Sequence, residues 1–62
     1  MKLVPLTRQC FNGDCPAVYA TDHGTIVIQG KLLAPSPVQL GDGEAAIEIP
    51  AEVFDQAVMR RA

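Results

Sequence analysis

The sequence has no tryptophan, a single histidine and only 19% charged residues. The net charge is −2 at pH 7, and the basic residues form no patch beyond the final pair Arg60–Arg61. DNA-binding domains normally carry a basic face, so direct contact with nucleic acid is not expected. No apolar run approaches the roughly 20 residues of a membrane span, and the N-terminal apolar segment is too short for a signal peptide. We therefore expect a cytoplasmic protein without a membrane segment.

A catalytic constellation is also missing. His23 lies between Asp22 and Gly24, a setting typical of an exposed turn, and no serine or thiol is predicted beside it. Asp14 and Asp42 also lie at turn edges, where carboxylates accept backbone hydrogen bonds. Because no nucleophile can be paired with a base, we expect neither an enzyme nor a cofactor.

The 62 residues form one domain, residues 1–62, near the lower limit of unaided folding. A chain this short buries only about 60% of the surface that its unfolded form exposes. Hydrophobic residues nevertheless make up 48% of the sequence, which is generous for so small an interior. Oligomerisation is one natural use of the excess apolar surface, and we expect a homodimer.

The first part of the chain predicts a hairpin. Residues 3–11 form a weak strand, in which Pro5 lacks a ladder donor and therefore suits a sheet edge. Asn12–Gly13 follows, a pair favoured in two-residue turns because both positions need positive φ. In that hairpin Cys10 faces Cys15 as a pair without mutual hydrogen bonds, with Cα atoms about 4.5 Å apart.

This cysteine pair has three interpretations. Reduced thiols that pack on the sheet suit a cytoplasmic protein, and a disulfide suits the hairpin geometry. Zinc is the third, but structural zinc needs four ligands and one chain offers only Cys10, Cys15 and His23. A four-cysteine site shared across a dimer would complete the set. A zinc- or redox-responsive protein is therefore an alternative function.

Residues 15–30 predict a second hairpin that is apolar on both faces. Asp22–Gly24 suits a three-residue loop, with Gly24 in the left-handed conformation of a bulge. The resulting register places four residues on the expected core face: Val18, Ala20, Ile26 and Ile28. Tyr19 pairs with Val27 on the opposite face, which is more apolar than a solvated face requires.

The remaining chain predicts one more strand and a helix. Gly30 ends or bends the second hairpin, and residues 44–49 form a short fourth strand with one solvated face. Pro50 suits the start of a helix with one apolar stripe. The stripe consists of Val53, Phe54, Ala57 and Val58. The predicted fold class is α+β, an antiparallel meander of three to four strands with one C-terminal helix that buries Phe54.

One short helix covers only one face of such a sheet. Phe11, Tyr19 and Val27 then form either an exposed patch for a partner or a second core layer. Contiguous exposed apolar patches usually mark interaction surfaces, and uncovered edge strands pair with other chains. We expect a small protein–protein interaction module with these three residues as its partner-binding surface.

Two segments resemble a known family. Residues 15–30 (CPAVYATDHGTIVIQG) and 45–54 (AAIEIPAEVF) are similar to short actinobacterial proteins of the BldB-like group, whose function is unknown. The shared pattern is a cysteine-led strand, an Asp-x-Gly turn, a strand, and a late strand leading into a Pro-Ala-Glu helix. Phe54 stands at the aromatic helix position, and the family's tryptophan is missing. The resemblance implies an accessory role beside a helix-turn-helix transcriptional regulator or in a toxin–antitoxin-like pair, and it implies no catalytic residues.

Residues 46–53 (AIEIPAEV) also resemble the strand-to-helix step of swapped-hairpin antitoxins, which bind DNA as dimers through basic loops. The corresponding stretch here carries Glu44, Glu48 and Glu52, which repel phosphates. An antitoxin-like DNA-binding dimer is therefore a further alternative to the interaction module.

Overall fold

A computed structural model of the chain describes residues 1–8, 10 and 15–61. Three strands form one antiparallel sheet in the order β1-β2-β3: β1 (Leu3–Pro5), β2 (Ala17–Thr21) and β3 (Ile26–Gln29). A second sheet pairs β4 (Lys31–Leu32) with β5 (Ile47–Glu48), and the helix α1 spans Ala51–Arg61. The predicted α+β class, a small antiparallel sheet with one C-terminal helix packed on it, is confirmed.

The β2–β3 hairpin has the predicted register. Ala20 lies opposite Ile26, and the Thr21 N–H donates to the Thr25 carbonyl at 3.0 Å. Gly24 has a φ of 78°, the left-handed conformation that the three-residue loop requires. Local turn chemistry therefore sets this part of the fold.

β1 is much shorter than the strand predicted over residues 3–11. The ladder reaches Leu6, whose N–H donates to the Val18 carbonyl at 2.8 Å. The Val18 N–H does not continue the backbone ladder. It donates to a side chain, Thr7 Oγ1, at 3.1 Å. This hydroxyl ends the strand, so the longer strand is wrong. The predicted Asn12–Gly13 turn lies outside the described residues.

The core is small and lies between β2 and α1. Leu6, Val18 and Ala57 form its buried cluster. Three partly buried residues pack around them: Ala20, Ile49 and Val53. The predicted core position of Val18 is confirmed, since its exposure is only 3%.

Three predicted core residues are instead exposed. Ile26 is 40% exposed and Ile28 39%, while Phe54 on the helix is 54% exposed. The cause is the placement of α1, which packs mainly on β2. Val53 and Ala57 share the buried side of the helix because they are four residues apart. Phe54 is rotated about 100° from Val53 and therefore lies on the flank.

The second sheet begins at Lys31, directly after Gly30, where the sequence predicts that the hairpin ends or bends. A Cβ at Gly30 would lie 2.7 Å from the Glu48 carbonyl oxygen and 2.7 Å from Ile49 Cγ2. Only glycine allows β5 to pass this close to the chain. The strand predicted over residues 44–49 is reduced to β5, and it pairs with β4 rather than extending the first sheet.

Candidate interaction surfaces

The outer edge of β3 presents unpaired backbone groups. The bond from Thr21 to Thr25 fixes which residues of β3 bond to β2, because hydrogen-bonded and non-hydrogen-bonded pairs alternate in an antiparallel ladder. Val27 therefore directs its N–H and C=O toward β2, whereas Ile26 and Ile28 direct theirs away from it. No strand in the described part of the chain pairs with this outer edge.

An apolar surface adjoins that edge. Gln56 Oε1 accepts the Arg8 N–H at 2.7 Å, so this flank of α1 faces the segment that follows β1. The opposite flank, on the β3 side of the helix, carries Phe54 and Val58, which are both exposed. Together with Ile26 and Ile28 of β3 they form what we call the β3 surface. The sequence assigned all four residues to the core or its stripe, and only the short length of the chain hinted that some would stay uncovered.

The predicted partner-binding residues lie on the other face of the sheet. Pro5, Tyr19 and Val27 stand opposite one another across the three strands, and we call them the Tyr19 row. Tyr19 and Val27 are half-buried, neither fully enclosed nor fully exposed. Leu3 lies beside them on the same face and is exposed. The helix packs on the opposite face and does not cover this row. Phe11, the third predicted residue, lies outside the described residues.

The two cysteines form a disulfide between Cys10 and Cys15, whose Cα atoms are 5.7 Å apart. The separation exceeds the predicted 4.5 Å because Cys10 lies beyond the end of β1 and not on a paired strand. Of the three interpretations, the structure shows the disulfide. In this form the thiolates that zinc requires are not available. The described residues contain no group of three histidine, cysteine or acidic side chains placed to hold a metal.

A recess of about 550 Å³ lies beside this disulfide. Its wall combines Cys15 and Pro16 with the junction of the two sheets at Gly30. Lys31 and Glu48, which pair across β4 and β5, bring opposite charges to the rim.

The turn of the β2–β3 hairpin holds the single histidine. Thr21 Oγ1 accepts the N–H groups of His23 and Thr25 at 3.1 and 3.2 Å, which fixes the loop. His23 Nε2 lies 3.5 Å from Asp22 Oδ1, and both side chains are about half exposed. The predicted exposed turn position of His23 is confirmed.

The chain has more surface than a compact monomer of its size. Its accessible surface is 5023 Å². The scaling relation for folded monomers gives about 3,900 Å² for its 6.6 kDa, an excess of about 1,100 Å². The radius of gyration agrees, since it is 12.4 Å where a compact chain of this length has about 10.5 Å. The surplus surface is comparable to one side of a standard protein interface, about 800 Å².

No family model, curated protein or solved structure matches this chain. The resemblance to BldB-like proteins therefore stays a prediction from residues 15–30 and 45–54. Among the described residues, no helix has the length and apolar character needed to cross a membrane.

Proposed function

We propose that the protein is a non-enzymatic, cytoplasmic interaction module that acts as an accessory partner of a helix-turn-helix transcriptional regulator. The observation that carries this proposal is the surplus surface of about 1,100 Å² over a compact monomer. Exposed large hydrophobic side chains, among them Leu3, Ile28 and Phe54, contribute to this surface. Contiguous apolar patches of this kind usually mark interaction sites. The choice of a regulator as partner rests on the resemblance of residues 15–30 and 45–54 to BldB-like proteins.

The Tyr19 row is the proposed contact surface for the regulator. Tyrosine suits such a surface because its ring supplies apolar area while its hydroxyl finds a hydrogen-bond partner. Leu3 extends the row toward the N-terminus and is 45% exposed. The row lies away from α1, so a partner bound here leaves the core packing of Leu6 and Val18 intact.

The test is binding to the helix-turn-helix regulator encoded nearest to this gene, purified separately and titrated by calorimetry. We expect a 1:1 complex that is lost in the double variant Tyr19→Glu, Val27→Glu, because buried carboxylates without partners are costly. Leu3→Glu supplies a milder variant, since this side chain is already exposed. His23→Glu, in the hairpin turn, is the matched control and should bind normally.

Circular dichroism must show that each variant keeps the fold of the parent chain. Two results contradict the proposal: a regulator that does not bind the parent chain, or folded Tyr19→Glu, Val27→Glu and Leu3→Glu variants that bind it unchanged. An adjacent gene of another class would remove the reason for naming a regulator.

The alternative function is a redox-responsive protein, and the Cys10–Cys15 disulfide favours it. In the cytoplasm such bonds are usually transient and act in sensing or catalysis. Mass spectrometry of the native protein tests this directly. A loss of two hydrogens that reductant reverses supports the disulfide, whereas an added zinc mass supports the metal alternative.

An antitoxin-like DNA-binding dimer is the less favoured alternative. Glu48 and Glu52 flank the strand-to-helix step and are both exposed, so this stretch repels phosphates. A gel shift at low salt gives weak phosphate contacts their best chance to appear, and we expect no shift.

A further inference from the structure

We propose that β3 pairs with β3 of a second copy of this chain, forming a symmetric homodimer with one continuous six-stranded sheet. The proposal uses the β3 surface, not the Tyr19 row. It therefore does not depend on the identity of any regulator.

The backbone geometry supports a specific register. Ile26 and Ile28 direct their N–H and C=O groups to the outer edge, and Val27 lies between them. A two-fold axis at Val27 sets Ile26 opposite the partner's Ile28 in an antiparallel pair. Both copies of this pair exchange two hydrogen bonds, so all four outward groups on each subunit are satisfied. An open strand edge with such groups is a ready template for pairing with another chain.

The side chains agree with this register. Residues opposite each other in a ladder share a face, so Ile26 and Ile28 of both subunits form one apolar row on the helix side of the sheet. Phe54 and Val58 border this row, because they lie on the β3 side of α1. Pairing of the two β3 strands therefore covers Ile26 and Ile28, which α1 leaves exposed within one subunit.

β3 lacks the features by which natural sheets protect a free edge. Such edges usually carry proline, lysine or a bulge, whereas the strand Ile26–Gln29 has no proline and no charged residue. A two-fold contact through one patch is self-complementary and closes at two subunits. Ile26, Ile28, Phe54 and Val58 of the β3 surface are all exposed, so they contribute to the surplus surface of the chain.

Sedimentation equilibrium of the full chain tests the assembly. We expect a species of twice the 6.6 kDa mass that dissociates on dilution. Ile26→Lys and Ile28→Lys should each weaken dimerisation by about 100-fold, since every substitution acts on both sides of the axis. Val4→Lys is the matched control: Val4 lies on the same face, on the opposite edge strand, and is 61% exposed. Its dimerisation should be unchanged.

Cross-linking tests the register with substitutions that disturb the fold less. In Val27→Cys the two new thiols face each other across the axis, with Cα atoms about 4.5 Å apart, within disulfide range. Mild oxidation should convert most of the protein to a covalent dimer. Thr25→Cys is the control, because its two copies are displaced by about 13 Å along the strand. It should not cross-link.

Three results overturn the proposal. The first is a strict monomer at high protein concentration. The second is a dimer that folded Ile26→Lys and Ile28→Lys variants leave unchanged. The third is equal cross-linking at positions 25 and 27. If the lysine variants fail to fold by circular dichroism, the cross-linking pair decides alone.

Discussion

The two edges of the three-stranded sheet are built differently. β1 carries Pro5, which offers no N–H to a neighbouring chain, and its continuation is held by Leu6 in the core and by the Thr7 hydroxyl. β3 carries Ile26 and Ile28, which are about 40% exposed and turn unpaired backbone groups outward. One edge is closed against further pairing, and the other has no such protection.

The difference follows from where the helix lies. Residues from all three strands share the helix side of the sheet, and the ladder sets Leu6 opposite Val18 and Val18 opposite Ile28. α1 contacts β2, and the bond from Arg8 to Gln56 ties one flank of the helix to the segment after β1. A single eleven-residue helix cannot cover the whole sheet. It buries Val18 of β2 and Leu6, which follows β1, and leaves Ile26 and Ile28 of β3 exposed.

The largest expected difference between the edges is in core stability. Leu6→Ala should lower the free energy of unfolding by about 2–5 kcal/mol, because Leu6 is only 8% exposed and its loss leaves a cavity. Ile28 is 39% exposed, so Ile28→Ala leaves less of a cavity. It should lower the free energy of unfolding of the monomer by no more than about 1.5 kcal/mol. Urea unfolding at protein concentrations too low for association measures both. Equal losses would contradict the proposed asymmetry.

The disulfide provides the next largest effect, and it joins Cys10, beyond the end of β1, to Cys15, two residues before β2. Closing the short loop between Cys10 and Cys15 removes unfolded-state entropy worth about 2 kcal/mol. Cys15→Ser should therefore lower stability by this amount, measured by thermal unfolding. Reducing the parent protein is the control, since it should give the same loss and leave Cys15→Ser unaffected. A reductant effect on the variant would mean that the bond is not the cause.

The Thr7 hydroxyl gives a smaller effect at the end of β1. Thr7→Val leaves the buried Val18 N–H without a partner, whereas Thr7→Ser keeps the oxygen. We expect the valine variant to be less stable than the serine variant by about 1 kcal/mol, the usual worth of such a bond. Amide exchange at Val18 should also be faster in Thr7→Val. Similar stabilities for the two variants would show that the ladder ends here for another reason.

The smallest effect on stability should come from Pro5. Its position faces away from β2, so Pro5→Thr adds an outward N–H and changes stability by less than about 0.5 kcal/mol. The variant should nevertheless associate beyond the dimer, because β1 then resembles β3 as an open edge. Dynamic light scattering measures the particle size. Val4→Thr, which adds no backbone donor, is the control and should leave the size unchanged.

Sequence patterns predicted the β2–β3 hairpin well because its signals are local. The threonines that flank the turn and the glycine at its third position act within five residues, and the register of Ala20 with Ile26 follows from them. The helix start near Pro50 and its charged ends, Glu52 and Arg61, are local in the same sense. These features do not depend on the rest of the chain.

Predictions failed where a distant residue decides. The strand over residues 3–11 reads as continuous, yet Thr7 ends it by bonding to Val18, eleven residues away. Phe54 belongs to the apolar stripe of the helix, but the stripe is wider than the surface that β2 offers to cover it. The spacing of residues along the chain predicts neither the Thr7–Val18 hydrogen bond nor the exposure of Phe54.

Local sequence patterns are sufficient to predict the α+β class, the β2–β3 turn and its register, and the excess of apolar residues over what so short a chain can bury. Turn conformation and hydrophobic periodicity depend on residues that are close in sequence, so they can be predicted from the sequence. Three-dimensional packing sets which of those residues stay exposed. It depends on where one helix packs on a three-stranded sheet: α1 packs on β2 and leaves Ile26, Ile28 and Phe54 exposed.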